Sequence, residues 1–400
     1  MDSLGGLRHY AEMLLKRAEG APPDSLAGSL NVSGWMHGAL PSFRLAGDIK
    51  GSNVFLRREA GRDISGTFDV DNPFTAPTGT VALRSKTLRV VGVAMDSVGV
   101  VLRLNEGRTG AFLLGVRETN GANLTTQGEF SRGDSATLLN VRSLSLLTDS
   151  SRWLMSGNST FRLKAGDLSV DSLVVLNEHG GRLALTASVP DSGKARFLLR
   201  ADSLPLRDVG VLAQLRTPMA GWSTFTVTGA GTSQLPVVNA DARFTSIQYD
   251  SLRLDAGQAR IQYAASRAAV SLDLSRGKTS VLQVQGSLPI GLRYFGASLL
   301  DDSLSATIRT EGATLELVQA FIPGMHDATG KLLATIDVAG TWKHPDVIGT
   351  ITVANGEATV DQLGIRLKGI QADLGLFGHA DSLAVRRRVA WSGVTPADSI

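Results

Sequence analysis

The sequence predicts a mostly-β chain built from repeated strand units with a few short helices. Three observations carry that reading. Apolar and polar residues alternate in short runs, the runs recur roughly every ten residues, and the 44 glycines fall mostly between them. In ATIDV, Ala334, Ile336 and Val338 share one face, and in GTITV Ile351 and Val353 do. Phe197 goes with Leu199 in RFLLRAD, and Val270 with Leu272 and Leu274 in VSLDLS. In DSLAVRRRVAW, Leu383, Val385, Val389 and Trp391 line up, with Arg387 as the exception. A strand turns successive side chains to opposite faces, so each run has one apolar and one polar face. The same parity assigns Phe225, Val227, Leu252, Leu254, Ile365 and Leu367 to the apolar side.

Helical spacing is confined to three places. Leu4, Leu7, Met13 and Leu14 predict an N-terminal helical segment over 1–20. PLRDVGVLAQL at 205–215 has Pro205 suited to a first turn, with Val209, Leu212 and Leu215 on one face. LELVQAF at 315–321 is the third.

The strand pattern repeats. When residues 209–247 are set beside 314–356, Gly221 falls on Gly330, Gly231 on Gly340, Thr232 on Thr341 and Pro236 on Pro345. Further on, LRLDAGQA at 252–259 faces IRLKGIQA at 365–372. A blurred third copy reads GSLNVSGWMHGALPSFRLAGDIKG, with Gly28, Gly34 and Pro41. The expected organisation is therefore one continuous repetitive sheet over 21–400. Its units lie near 205–310 and 311–400, with a weaker copy near 25–150. His344, Lys343 and Asp346 have no counterparts in the earlier copy, where Gln234, Leu235 and Val237 stand. What recurs is backbone geometry, and a repeat that cannot bury its apolar face alone must stack on its neighbours.

Composition narrows the function. Forty basic residues meet 37 acidic ones for a net charge of +3, with no long basic run, which argues against nucleic acid as a partner. Cysteine is absent, so thiolate metal sites and Cys nucleophiles are excluded. No run approaches 18 apolar residues, and no signal peptide opens the chain, MDSLGGLRHYAEMLLKRAEG. Both ends read as cut from something longer.

The reactive residue types form no catalytic or metal pattern. Asp-Ser-Leu begins at Asp2, Asp24, Asp171, Asp202, Asp250, Asp302 and Asp381, with Asp-Ser-Val at Asp96. A catalytic pair would not recur eight times, whereas Asp and Ser favour turns by bonding their own backbone. His9, His37, His179, His326, His344 and His379 show neither HxxxH nor HExxH spacing. Asp301 and Asp302 are neighbours, and on a strand they would face opposite ways. A polysaccharide-cleaving β-helix would need acids stacked at one position of successive coils, and no such ladder is present. Arg386, Arg387 and Arg388 are the one tight basic run, suited to a solvated edge or to lipid phosphates. GAGT at 229–232 lacks the Lys of a phosphate-binding loop. No cofactor, metal or catalytic residue is assigned.

One resemblance rests on the order of these parts. The chain runs G330…V338-A-G-T-W-K-H-P345…G349-T-I-T-V-A-N355-G356…G369-I-Q-A-D-L, and Leu204-Pro205-Leu206 precedes a short helix. This resembles the TamB and AsmA-like envelope proteins of diderm bacteria over roughly 20–400. The resemblance implies an elongated, curled sheet shaped like an open taco, with an apolar groove on its inner face. It implies a periplasmic location, anchored in the inner membrane through a segment outside this chain. It implies phospholipid carried between inner and outer membranes, and an outer-membrane barrel partner in protein assembly. The groove candidates are then Phe225, Val227, Leu252, Leu254, Val270, Leu272, Leu274, Ala334, Ile336, Val338, Ile351, Val353, Ile365 and Leu367. An aromatic share of only 6% leaves that face mainly aliphatic, which suits acyl chains that need no directional contacts. A buried methylene is worth about 0.8 kcal/mol, so a sixteen-carbon chain gains roughly ten. The competing expectation is a structural β-solenoid or adhesin whose apolar face is a closed core.

Overall fold

A computed structural model describes residues 26–396, apart from 41, 57–58, 91–92, 165–166, 191–192, 216, 233, 294–295, 321 and 380–381. The N-terminal helical segment, His9 and the Asp-Ser-Leu copies at Asp2 and Asp24 lie outside the described residues, and so does Asp381. The chain is mostly β, with antiparallel strands throughout the described pairings and two short helices among the described residues. It divides into two compact units, residues 1–180 with 211–215, and residues 181–210 with 216–400.

The first unit holds β1 (Leu26–Ala39), β2 (Ser42–Leu56), β3 (Glu59–Asp71), β4 (Thr78–Val90), β5 (Val93–Asn105) and β6 (Thr109–Glu118). After these come β7 (Asn123–Arg132), β8 (Thr137–Leu147), β9 (Arg152–Met155), β10 (Ser159–Lys164) and β11 (Asp167–Asn177). Each of β1 to β8 pairs with the next. β9 and β10 both lie between β8 and β11.

The second unit opens with β12 (Arg182–Val189), β13 (Ala195–Pro205) and the first five residues of helix α1 (Leu206–Leu212), whose last two residues count with the first unit. Strands β14 (Met219–Gly231), β15 (Pro236–Tyr249), β16 (Leu252–Ala264), β17 (Arg267–Arg276) and β18 (Thr279–Arg293) follow. β19 (Gly296–Leu299) and β20 (Ser305–Thr314) both pair with β18. Helix α2 (Glu316–Gln319) leads to β21 (Met325–Gly340), β22 (Pro345–Val360), β23 (Ile365–His379), β24 (Ser382–Ala390) and β25 (Gly393–Pro396).

The stretch 338–360 is a hairpin, β21 to β22, and its turn has a twin. In one, Thr341 N–H donates to the His344 carbonyl at 3.0 Å, and His344 N–H donates to Thr341 Oγ1 at 3.2 Å. In the other, between β14 and β15, Thr232 N–H donates to the Leu235 carbonyl at 3.3 Å, and Leu235 N–H donates to Thr232 Oγ1 at 3.1 Å. Gly231 and Gly340 enter these turns at φ 95° and 87°. Ten residues earlier, Gly221 and Gly330 sit in β-bulges at φ 112° and 106°. In the first unit Gly28 is the bulge glycine and Gly38 the second, both at positive φ. The spacing of ten thus picks Gly38 where the sequence alignment had picked Gly34, an extended residue in mid-strand.

Two sequence expectations are corrected. Asp-Ser-Leu marks bends or turns at Asp250 and Asp302, but at Asp171 and Asp202, and in the Asp96 variant, it marks breaks inside strands. Ser203 stands at φ 51° in a register shift of β13, and Asp96-Ser97 spans a shift in β5. In β11, Asp171 Oδ1 accepts the N–H groups of Thr160 (2.8 Å) and Ser172 (2.6 Å), where pairing passes from β10 to β9. The short acceptor side chain takes up donors that the ladder leaves over, so it serves a bulge as well as a turn. In α1 the buried residues are Leu206, Asp208 and Gly210, while Leu212 and Leu215 are exposed. The helix ends at Leu212, too early for the predicted face to extend to Leu215.

A side chain at Gly330 would meet the Gly356 Cα at 2.5 Å, in a backbone conformation that other residues rarely adopt. Gly330→Ala is expected to lower stability by about 1–3 kcal/mol, read as a fall in the urea midpoint. A surface change at Gly364, where nothing lies within 4 Å, serves as the reference for positive φ without a clash.

Candidate functional site

Register carries the apolar face from strand to strand across the second unit. Residues directly opposite in an antiparallel pair share a face. One row therefore runs Leu183, Ala201, Phe225, Ala242, Ala259, Leu272, Val284, Ile308, Ile336, Gly349 and Leu376. The row beside it runs Leu185, Leu199, Val227, Ala240, Ile261, Val270, Gly286, Ala306, Val338 and Val347. Every member of both rows is apolar or glycine. Phe225, Val227, Val270, Leu272, Ile336 and Val338 are half-buried.

At one end of the strands the same face closes. Leu315 and Leu317, on and before α2, pack with Leu252, Leu254, Val281, Ala313, Ala328, Leu332, Val353, Ala358 and Ala372 in a buried cluster. Leu274 and Ile351 lie against it. Of the residues that parity assigned to the apolar face, Leu252, Leu254 and Val353 are thus core beneath a helix. Ala334 is buried at 8% exposure beside it, and Ile365 and Leu367 are half-buried at the start of β23.

Polar bonds latch the helix onto the sheet. Gln319 is buried; its Nε2 donates to Ser251 Oγ at 2.6 Å, and its Oε1 accepts the Ala328 N–H at 2.8 Å. Arg276 Nη2 donates to Glu316 Oε2 at 2.8 Å, and Thr314 Oγ1 donates to the same oxygen at 3.2 Å. Nothing in the sequence periodicity marked Gln319, because its role depends on strands 68 and 9 residues away.

The titratable groups singled out in the sequence are dispersed. Asp301 pairs with Lys343 at 2.9 Å and Asp302 with Arg267 at 3.1 Å, so the adjacent carboxylates serve different partners. Both carboxylates are held below the ordinary value, Asp301 chiefly by the Lys343 ammonium and Asp302 chiefly by the Ser303 N–H, with Arg267 adding less. His344 is exposed in the hairpin turn. Arg388 is exposed, and Arg387 stands opposite Leu374 in register. Burial pushes the Glu118 carboxyl up, partly offset by a bond from Gln214. Among the described residues, no group of three or more His, Asp or Glu side chains is placed to hold a metal ion.

Among the described residues, the His326 imidazole bonds on both ring nitrogens. Its Nδ1 lies 3.1 Å from Asp327 Oδ2 and its Nε2 2.7 Å from Asp361 Oδ1, joining the start of β21 to the turn after β22. The two carboxylates raise its pKa, Asp327 most.

Two open depressions lie on the sheet. One, about 630 Å³, is lined by Arg260, Gln262, Ser271, Gln285, Ser287, Ser305, Thr307 and Asp337 among others. The other, about 600 Å³, lies in the first unit, with Lys50, Arg84, Gly99, Val101, Leu113 and Gly115 in its lining. Comparison of the chain brings no match to any family model, curated protein or solved structure.

Two outcomes follow. Gln319→Ala strands the buried Ala328 N–H and is expected to cost about 1–3 kcal/mol, measured by urea unfolding. The His326 bridge has the sign of a raised pKa. Its stabilisation is full below the ordinary value of 6.5 and is lost as pH rises through the higher folded value. The gap between the parent and His326→Gln in urea midpoint should therefore be present at about pH 5.5 and vanish by about pH 9.

Proposed function

We propose that this chain is a non-enzymatic scaffold whose apolar sheet face carries phospholipid acyl chains between the two membranes of a diderm envelope. The observation that supports it most is the pair of apolar rows, in which Phe225, Leu272 and Ile336 on one and Val227, Val270 and Val338 on the other are half-buried rather than buried. An acyl chain laid across those rows replaces water at every methylene and meets no polar atom. Because the rows are nearly uniform, displacement from one strand to the next changes little, while escape to water costs about 0.8 kcal/mol per methylene. The headgroup stays in water beyond the apolar face. The resemblance to TamB and AsmA-like proteins supplies the envelope setting, the periplasmic location, the inner-membrane anchor and the outer-membrane barrel partner. A structural solenoid is the competing reading, and the cluster under α2 is the feature that favours it.

Lipid extraction from the protein purified out of a diderm host separates the two. The expected result is co-purifying phospholipid, reduced several-fold in Leu272→Asp and Ile336→Asp. Thr335→Asp, on the opposite face, should retain it. A folded protein without lipid, or lipid unaffected by both aspartates, would leave the solenoid.

A further inference from the structure

The open depression of the first unit lies on the polar face of its sheet, and two glycines form its floor. Register places Lys50, Ser65, Arg84, Gly99, Gly115 and Thr125 in one row across β2 to β7. The next row on that face runs Thr67, Ala82, Val101 and Leu113. Every residue of these two rows lines the depression. The apolar row through Ile49, Leu83, Val100 and Leu114 alternates with them and turns to the other face.

Gly99 and Gly115 stand directly opposite each other in mid-strand, with no register shift at either. Neither takes positive φ. A side chain at Gly115 would meet nothing within 4 Å, and one at Gly99 only the Leu83 carbonyl oxygen at 4.0 Å. Glycines on the apolar face of the same unit differ. At Gly47, Gly110 and Gly128 a phenylalanine ring stands within 3.0 Å of where a Cβ would sit. A glycine inside a strand costs stability through backbone entropy. With bulge, left-handed backbone and tight packing set aside, the remaining reason for one is close approach of a ligand.

The walls of this trough differ in character. Lys50 and Arg84 stand at one end of the glycine pair, with Ser65 between them. Val101 and Leu113 flank the glycines on one side, 39% and 43% exposed on a face that carries Arg103 and Gln127 beside them. Asp48 is the one acid among the described lining residues, so Lys50 and Arg84 leave a single net positive charge.

We propose that this trough binds a single-chain amphiphile with a carboxylate head, of the fatty-acid type. The head sits at Arg84 and Lys50, and the chain lies along Gly99 and Gly115. The Arg84 guanidinium offers a carboxylate two parallel N–H bonds. One net positive charge matches a monoanion and falls short of a phosphate monoester. A single bare row, between Val101 with Leu113 on one side and Ser97 with Arg117 on the other, admits one chain and not the two of a diacyl lipid. From Arg84 to Gly115 is two strand spacings, about 10 Å, so a chain of medium length covers the floor. The site does not rest on the rows proposed to carry acyl chains, which belong to the second unit.

The test is calorimetric titration of the full 400-residue chain with sodium decanoate below its micelle concentration. A saturable site is expected that Arg84→Gln, at an exposed position, weakens at least tenfold. Gly115→Val fills the floor and should abolish that site. Its urea midpoint should stay equal or rise, because a β-branched residue replaces a strand glycine in open space. Ile336→Asp should leave the decanoate site unchanged, which separates it from the acyl-carrying rows. Decylamine, the same chain with the opposite charge, should not compete. The proposal is overturned by an absence of saturable binding, by binding indifferent to Arg84→Gln or Gly115→Val, or by loss of the site in Ile336→Asp. Equal competition by decylamine, or a Gly115→Val chain that unfolds at lower urea, would overturn it as well.

Discussion

Side-chain parity, kept in step by antiparallel register, is the constraint on which the rest depends. A strand has a period of two, so one residue of slip would turn every apolar side chain of that strand to water. In the second unit the register holds from β12 to β23 without breaking the row through Phe225, Leu272 and Ile336. Nothing local to any one strand requires this. It is enforced because each strand is short of partners for its apolar face except those beside it, and a slipped strand would leave its leucines opposite aspartate and arginine. The Gly-Thr turns of the β14–β15 and β21–β22 hairpins set the starting register, and the alternation maintains it.

Within each unit, phenylalanine and glycine are paired across neighbouring strands. Phe68 lies opposite Gly47, Phe130 opposite Gly110, Phe112 opposite Gly128 and Phe197 opposite Gly229. In each pair the ring reaches over the glycine Cα, into space that a side chain there would fill. This pairing covers backbone that glycine would otherwise expose and helps to fix register.

The strands and the hairpin repeat were legible in the sequence because both are local signals, alternation within a run and Gly-Thr-x-x-x-Pro at a turn. The parity of a whole strand was not. In β16 the buried residues are Tyr263 and Gly257 on odd positions, then Leu254 and Leu252 on even ones. The phase changes opposite Ser246, which stands at φ 51° in β15. Asp-Ser-Leu at 250–252 hinted at a turn but carried no information about a phase change four residues into the neighbouring strand. The closed cluster was hidden for the same reason. Leu315 and Leu317 read as a short helix, but what they cover is decided by bulges at Gly312, Gly330 and Asn355, each invisible until strands are paired.

Those bulges explain how a single sheet carries both a dry core and half-buried rows. Ser203, Gly221, Gly312, Gly330 and Asn355 each take positive φ at or beside a register shift. A bulge adds twist and re-aims the side chains beyond it, so one end of these strands turns its apolar side chains into the cluster with α2 while the paired rows keep their alternation. The latch through Gln319 and Glu316 then fixes the helix on that end by directed bonds, not by apolar area alone. A helix of four residues has too little surface to hold itself in place. On the proposed reading this division has a use. Rows without polar groups let an acyl chain move at low cost, and a packed, hydrogen-bonded end gives those rows the stability that a one-layer sheet lacks.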